Sequence, residues 1–125
     1  MMTNPEGTDM KAMANVEALI PSYKSGAETE FAGIGIALLG AHFWTEVMLL
    51  LYEPCRWAIP GGHYTPDFMA VLQDGRVVFV EIKGSKKQRN YRDARSKLRA
   101  AQAVYPMFIW VEVVQEDGWA LEVLT

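Results

Sequence analysis

The 125-residue sequence predicts an α/β domain in which helices pack against a central mixed sheet. Three observations carry that prediction. A helix-start signal at Ser25-Gly26-Ala27-Glu28 precedes a long apolar stretch. Two strand-like runs flank the turn Gln73-Asp74-Gly75. A basic amphipathic segment then separates these runs from two more strands, so the order is helix, three strands, helix, two strands.

From 8 to 20, Met10, Met13, Val16 and Leu19 or Ile20 recur at helical spacing before Pro21, which makes residues 1–22 a segment able to form a helix or join a dimer contact. Residues 23–125 form the main domain. Ser25 and Glu28 have the spacing of a capping box, serine capping the first turn and the acid reaching back to its amide. A helix over 26–39 follows, with Ala27, Phe31, Ile34 and Leu38 as the core stripe and Gly40 as its end. The apolar stretch 31–52 reads as buried helix then strand rather than a membrane span, because His42 and Glu46 interrupt it and Gly33, Gly35 and Gly40 divide it.

Residues 46–59 read as extended, and Pro60-Gly61-Gly62 as a turn. Strands over 63–72 and 76–83 make a hairpin. Val77-Val78-Phe79-Val80 is apolar at every position, as in a strand covered on both faces. A helix over 89–105 places Ala94, Leu98, Ala101 and Tyr105 on one side and Arg89, Arg92, Ser96 and Arg99 on another. Pro106 ends it, and strands over 107–114 and 119–124 complete the chain.

Half the residues are hydrophobic and 22% are charged, a globular composition. The single Cys55 excludes an intramolecular disulfide and a cysteine-rich zinc framework, favouring a reducing compartment. The start of the chain lacks the basic and apolar runs of a secretory signal, so a cytosolic protein is expected. The net charge of −3 hides an asymmetry, since Lys83, Lys86, Lys87, Arg89, Arg92, Arg95, Lys97 and Arg99 supply eight of the twelve basic residues against Asp93 alone. Such a segment is either a solvated face or a phosphate-binding surface.

The chemistry centres on Asp67, Glu81 and Lys83. Alternation puts Glu81 and Lys83 on one face of their strand. Asp67 joins them if Gln73-Asp74-Gly75 is a three-residue loop with Gly75 left-handed, because pairing numbers then sum to 148 and Asp67 lies opposite Glu81. A two-residue loop would turn the acids to opposite faces unless a bulge intervened. Opposed carboxylates repel, which raises a pKa or recruits a cation, and oxygen-only ligands suit Mg²⁺ or Mn²⁺. The other reading of these residues is a salt-bridge ladder on an exposed sheet. The basic segment after Lys83 favours the metal reading, because a phosphodiester substrate needs cations beside the metal.

Pro66-Asp67 followed by Glu81-Ile82-Lys83 resembles the PD-(D/E)XK pattern of restriction-like nucleases. With Tyr23-Lys24-Ser25-Gly26-Ala27-Glu28, Tyr52-Glu53-Pro54, Ile59-Pro60, Tyr64-Thr65-Pro66-Asp67-Phe68 and Gly84, it is most similar to the phage endonuclease I type of Holliday-junction resolvase. The resemblance implies a restriction-endonuclease-like αβββαβ core and Mg²⁺-dependent hydrolysis of DNA, branched or duplex. It implies Asp67, Glu81 and the Ile82 carbonyl as metal ligands, Glu28 as a helix-borne acid with Glu30 as its substitute, and Lys83 as the catalytic lysine. Lys86, Lys87, Arg89, Arg92, Arg95, Lys97 and Arg99 are then the nucleic-acid-binding candidates. A homodimer in a bacterial or phage-infected cell is the implied context. The alternatives are a nicking or end-processing nuclease of phage or transposon type, and a catalytically silent nucleic-acid-binding or assembly protein. His42 and His63 share no motif with a nucleophile and are not expected as general bases, with His63 in a turn or facing DNA, and the four tryptophans are expected in the core or at a dimer interface.

Overall fold

The computed structural model describes residues 23–84 and 91–125. The expected helix over 8–20, the segment 1–22 and the candidates Lys86, Lys87 and Arg89 lie outside the described residues. Helix α1, Gly26–Phe43, starts where Ser25 caps it, its side chain accepting from the Glu28 amide at 3.1 Å. The helix runs past Gly40 and closes at Trp44, which is left-handed at φ 55° and donates its amide to the Gly40 carbonyl. A glycine costs a helix interior only about 1 kcal/mol, which packing readily offsets, so the expected stop at Gly40 fails.

The buried face of α1 is Glu28, Phe31, Gly35 and Leu39, one step round from the expected stripe, with Ile34 exposed. This helix is apolar on nearly every side, so periodicity alone does not choose the face. Packing chooses it: the Phe31 ring lies over Gly35, where a Cβ would come within 2.7 Å of the ring.

The main sheet has five strands, β1 Val47–Tyr52, β4 Phe68–Leu72, β5 Val77–Lys83, β6 Ile109–Gln115 and β7 Trp119–Val123, in the spatial order β1-β4-β5-β6-β7. All neighbours are antiparallel except β5 and β6, which are parallel and joined through helix α2, Tyr91–Val104. The expected extended runs 46–59 and 63–72 are each divided. Glu53 turns the chain with φ 43°, and Thr65-Pro66-Asp67 interrupts the second run where proline has no amide to give the ladder. Between them, β2 Trp57–Ile59 and β3 Gly62–Tyr64 form a separate hairpin around Pro60-Gly61.

Each face of the sheet has its own core. Val78, Val80, Ile82, Val111 and Val113 pack with Phe31 and Leu39 on the α1 side. Phe79, Trp110 and Tyr64 pack with Leu98 and Ala101 on the α2 side. Strand β5 is thus covered on both faces, as its unbroken apolar run requires. Trp110, Trp57 and Trp119 all pack against other rings, but Trp44 is 93% exposed at the end of α1 and belongs to no core. Among the described residues no helix is long and apolar enough to cross a membrane.

The β4–β5 register decides the site. Phe68 pairs with Val80 and Met69 with Phe79, a sum of 148, and Gly75 is left-handed at φ 93° in a three-residue loop closed by the Leu72 amide on the Arg76 carbonyl. The register extended by one residue puts Asp67 opposite Glu81.

Candidate active site

Three carboxylates converge where β4 and β5 meet the first turn of α1. Asp67 is fixed from two directions: its Oδ2 accepts the Ile82 amide at 2.7 Å, and its carbonyl accepts the Glu53 amide at 2.8 Å. Glu81 is buried, accepting the Tyr64 hydroxyl on Oε1 at 2.5 Å while Oε2 lies 3.2 Å from the Lys83 ammonium. Glu28 comes from the helix. Its Oε1 accepts the Tyr52 hydroxyl at 2.9 Å and the Lys24 amide at 3.0 Å. The capping box is therefore half formed: Ser25 caps Glu28, and the Glu28 side chain reaches one residue further back than the motif expects.

The electrostatics follow from too many acids and too little water. Burial first, then the Glu81 carboxylate, then Glu28 push Asp67 up to about 9, against the single opposing bond from Ile82. Burial also raises Glu81, although the Tyr64 hydroxyl and the Lys83 ammonium pull the other way. Tyr64 is driven well above the ordinary tyrosine range by burial and the Glu81 charge, and Tyr52 is pushed up to about 12 by burial and Glu28. Both phenols therefore remain hydrogen-bond donors that hold the carboxylates in place. Without a cation, burial and the neighbouring acids favour a proton held within the Asp67–Glu81 pair.

Comparison with family models, curated proteins and solved structures finds no match to this chain.

A cleft of about 310 Å³ opens over the acids, lined by Tyr64, Asp67, Glu81, Asp93 and Lys97 among others. Of the sequence candidates, Glu28, Asp67, Glu81 and Lys83 come together, and Lys97 faces the cleft over Asp67 and Glu81 from α2. Glu30 points elsewhere, bonded to Gln115, so the helix-borne acid is Glu28. Arg92 and Arg99 are exposed on α2. Arg95 does not join them: its guanidinium binds Glu112 at 2.8 Å and Glu122 at 3.1 Å and lies largely covered, because the opposite side of α2 meets the acids of β6 and β7.

The donor set suits a hard divalent cation. Three carboxylates stand together with Lys83 paired to Glu81 and Lys24 near Glu28 and Asp67, and a cation among them would relieve the repulsion that favours a proton there. Among the described residues, no group of three or more His, Cys, Asp or Glu stands at metal-ligand spacing, so the acids are gathered without a preformed cage.

Sequence reasoning assigned no role to four residues that shape this region. Tyr64 and Tyr52 lie inside the quoted motifs and turn out to hold Glu81 and Glu28. Asp93 lines the cleft. Glu112 is nearly inaccessible beside Glu81 and binds Tyr91 and Arg95. It was detectable as the lone charge in an apolar run, Ile109-Trp110-Val111-Glu112-Val113-Val114.

Proposed function

We propose that this chain is a metal-dependent DNA endonuclease with a restriction-like αβββαβ core, hydrolysing phosphodiester bonds, with branched DNA of the Holliday-junction kind as its substrate. The observation that carries the reading is the β4–β5 register, which sets Asp67 against Glu81 beside Lys83 while α1 delivers Glu28 to the same point. The topology supports it too: a helix, three antiparallel strands, a crossover helix and a parallel fourth strand are the order such a core requires. Mg²⁺, with Mn²⁺ as substitute, would be held by Asp67, Glu81 and the Ile82 carbonyl with Glu28 alongside, and would supply charge neutralisation on the phosphate and a lowered pKa for attacking water.

The protein's own groups have separable tasks. Lys83, anchored on Glu81, offers an ammonium to neutralise a phosphate oxygen and to hold the attacking water. Tyr64 locks one oxygen of Glu81, so the carboxylate needs little reorganisation when substrate enters. Tyr52 does the same for Glu28. Lys97, opposite them on α2, is placed to hold the strand in the cleft.

The test offers four-way junctions, linear duplex and single strands to the protein with Mg²⁺, with EDTA and Lys83→Ala as controls. Cutting that favours junctions, needs metal and falls at least a hundredfold in Lys83→Ala is expected. Equal cutting of every substrate removes the junction preference and leaves a nicking or end-processing nuclease. Absence of cutting by the wild type leaves the silent DNA-binding or assembly protein.

A further inference from the structure

The cleft over the carboxylates does not end at Lys97. A second hollow of about 360 Å³ continues from it between the β2–β3 hairpin and α2, and the two share His63, Asp93 and Lys97 as walls. The result is one trough that starts at Asp67 and Glu81 and runs out to Gly61 at the hairpin tip.

Its dimensions follow from its walls. The helical side from Asp93 to Ala100 spans about 10 Å at 1.5 Å per residue, and the three-residue strands of the hairpin extend about as far. At the roughly 3.4 Å rise per nucleotide of a stacked strand, and more for an extended one, that is room for at most about three nucleotides. Small residues, Gly61, Gly62, Ser96 and Ala100, line the outer part, and neither glycine has an atom within 4 Å of where a Cβ would stand.

The charge is arranged along this path. Arg56, exposed at the base of the hairpin, meets His63 Nδ1 at 3.1 Å, and no carboxylate pairs with that guanidinium among the described residues. Lys97 stands across the trough with its ammonium 3.6 Å from the Asp93 carboxylate and its side chain about half exposed. Basic groups stand on both sides, Lys97 on α2 and Arg56 behind His63 on the hairpin, with Asp93 the one carboxylate of the outer part. This suits a sugar-phosphate backbone, since phosphate contacts need cations and small hydrogen-bonding groups rather than shaped pockets.

We infer that this trough binds one nucleic-acid strand on a single side of the scissile phosphate, with Arg56 and His63 taking one phosphate and Lys97 another. The inference rests on the nuclease reading for its orientation, and it makes the accepted flank a single strand, because hollows of about 310 and 360 Å³ have room for a few nucleotides of one strand and not for a duplex. An unpaired or frayed strand at a branch point is the substrate chemistry this selects.

The experiment measures binding in EDTA, where nothing is cut, using fluorescent oligothymidylate and a blunt duplex of equal length on the full chain. Wild type is expected to hold the oligothymidylate more tightly than the duplex. Arg56→Ala/His63→Ala is expected to weaken it roughly five- to tenfold and to reduce the slope of log affinity against log salt by about 0.7, one phosphate contact on a single strand. Ser96→Trp, which fills the trough without touching a charge, should weaken binding with the salt slope unchanged. Unchanged affinity in both variants overturns the inference, as does duplex bound as tightly as the single strand. Loss of binding in the variants alongside a wild type that cuts no DNA would retain the strand site and remove the nuclease.

Discussion

Glu81 and Glu112 stand side by side on β5 and β6, paired Cα to Cα and both buried, yet their surroundings are opposite. Glu112 faces Arg95 and the Tyr91 hydroxyl, and Arg95 continues to Glu122, so α2 is tied to the sheet by one cation between two acids. Glu81 faces Asp67, with Glu28 beyond, and its own ion-pair partner is Lys83. A buried acid that meets its arginine is explained by the fold. A buried acid that meets another acid is not, because the arrangement costs stability, which marks it as a candidate site. Adjacent positions on one sheet thus separate a structural ion pair from a candidate site.

The largest effect should come from breaking the structural side. Arg95→Ala leaves Glu112, whose Oε2 already lacks a partner, as an uncompensated buried charge, and a loss of about 3–5 kcal/mol in denaturant unfolding is expected. Arg95→Met with Glu112→Leu should recover most of it, since an apolar pair needs no compensation. A double variant as unstable as the single one would mean the pair does more than satisfy itself.

The opposite outcome is expected at the other cluster. Asp67 binds its proton more tightly folded than unfolded, so the folded state gains from protonation and metal-free stability should fall as pH rises from about 4 to about 9. Asp67→Asn should flatten that dependence and raise the melting temperature at pH 8 by a few degrees, on the order of 1 kcal/mol. Mg²⁺ should raise the wild-type melting temperature at pH 8 and leave Asp67→Asn unmoved. A melting temperature that is independent of pH in wild type would sink the account of crowded acids.

The smallest effect is expected at the start of the helix that brings Glu28. Ser25→Ala removes the cap and should cost about 1 kcal/mol in thermal unfolding. Because Glu28 is also held by Tyr52, its placement should survive, and the cleavage proposed above should drop less than threefold.

Local chemistry determined much of this by itself. The loop Gln73-Asp74-Gly75 fixes the hairpin register because glycine takes the left-handed turn, and strand alternation then sets Asp67, Glu81 and Lys83 on one face. The apolar runs gave the covered strands, and Ser25 gave the start of α1. Tertiary structure alone decided the rest. An almost wholly apolar α1 offers no periodic signal for its buried side, so only Phe31 packing over Gly35 turns Glu28 into the site. The basic residues of α2 look equivalent in sequence, yet the helix's position over β6 commits Arg95 to Glu112 and leaves Lys97 facing the cleft. Pairings between elements tens of residues apart depend on how surfaces fit, and no local spacing carries that information.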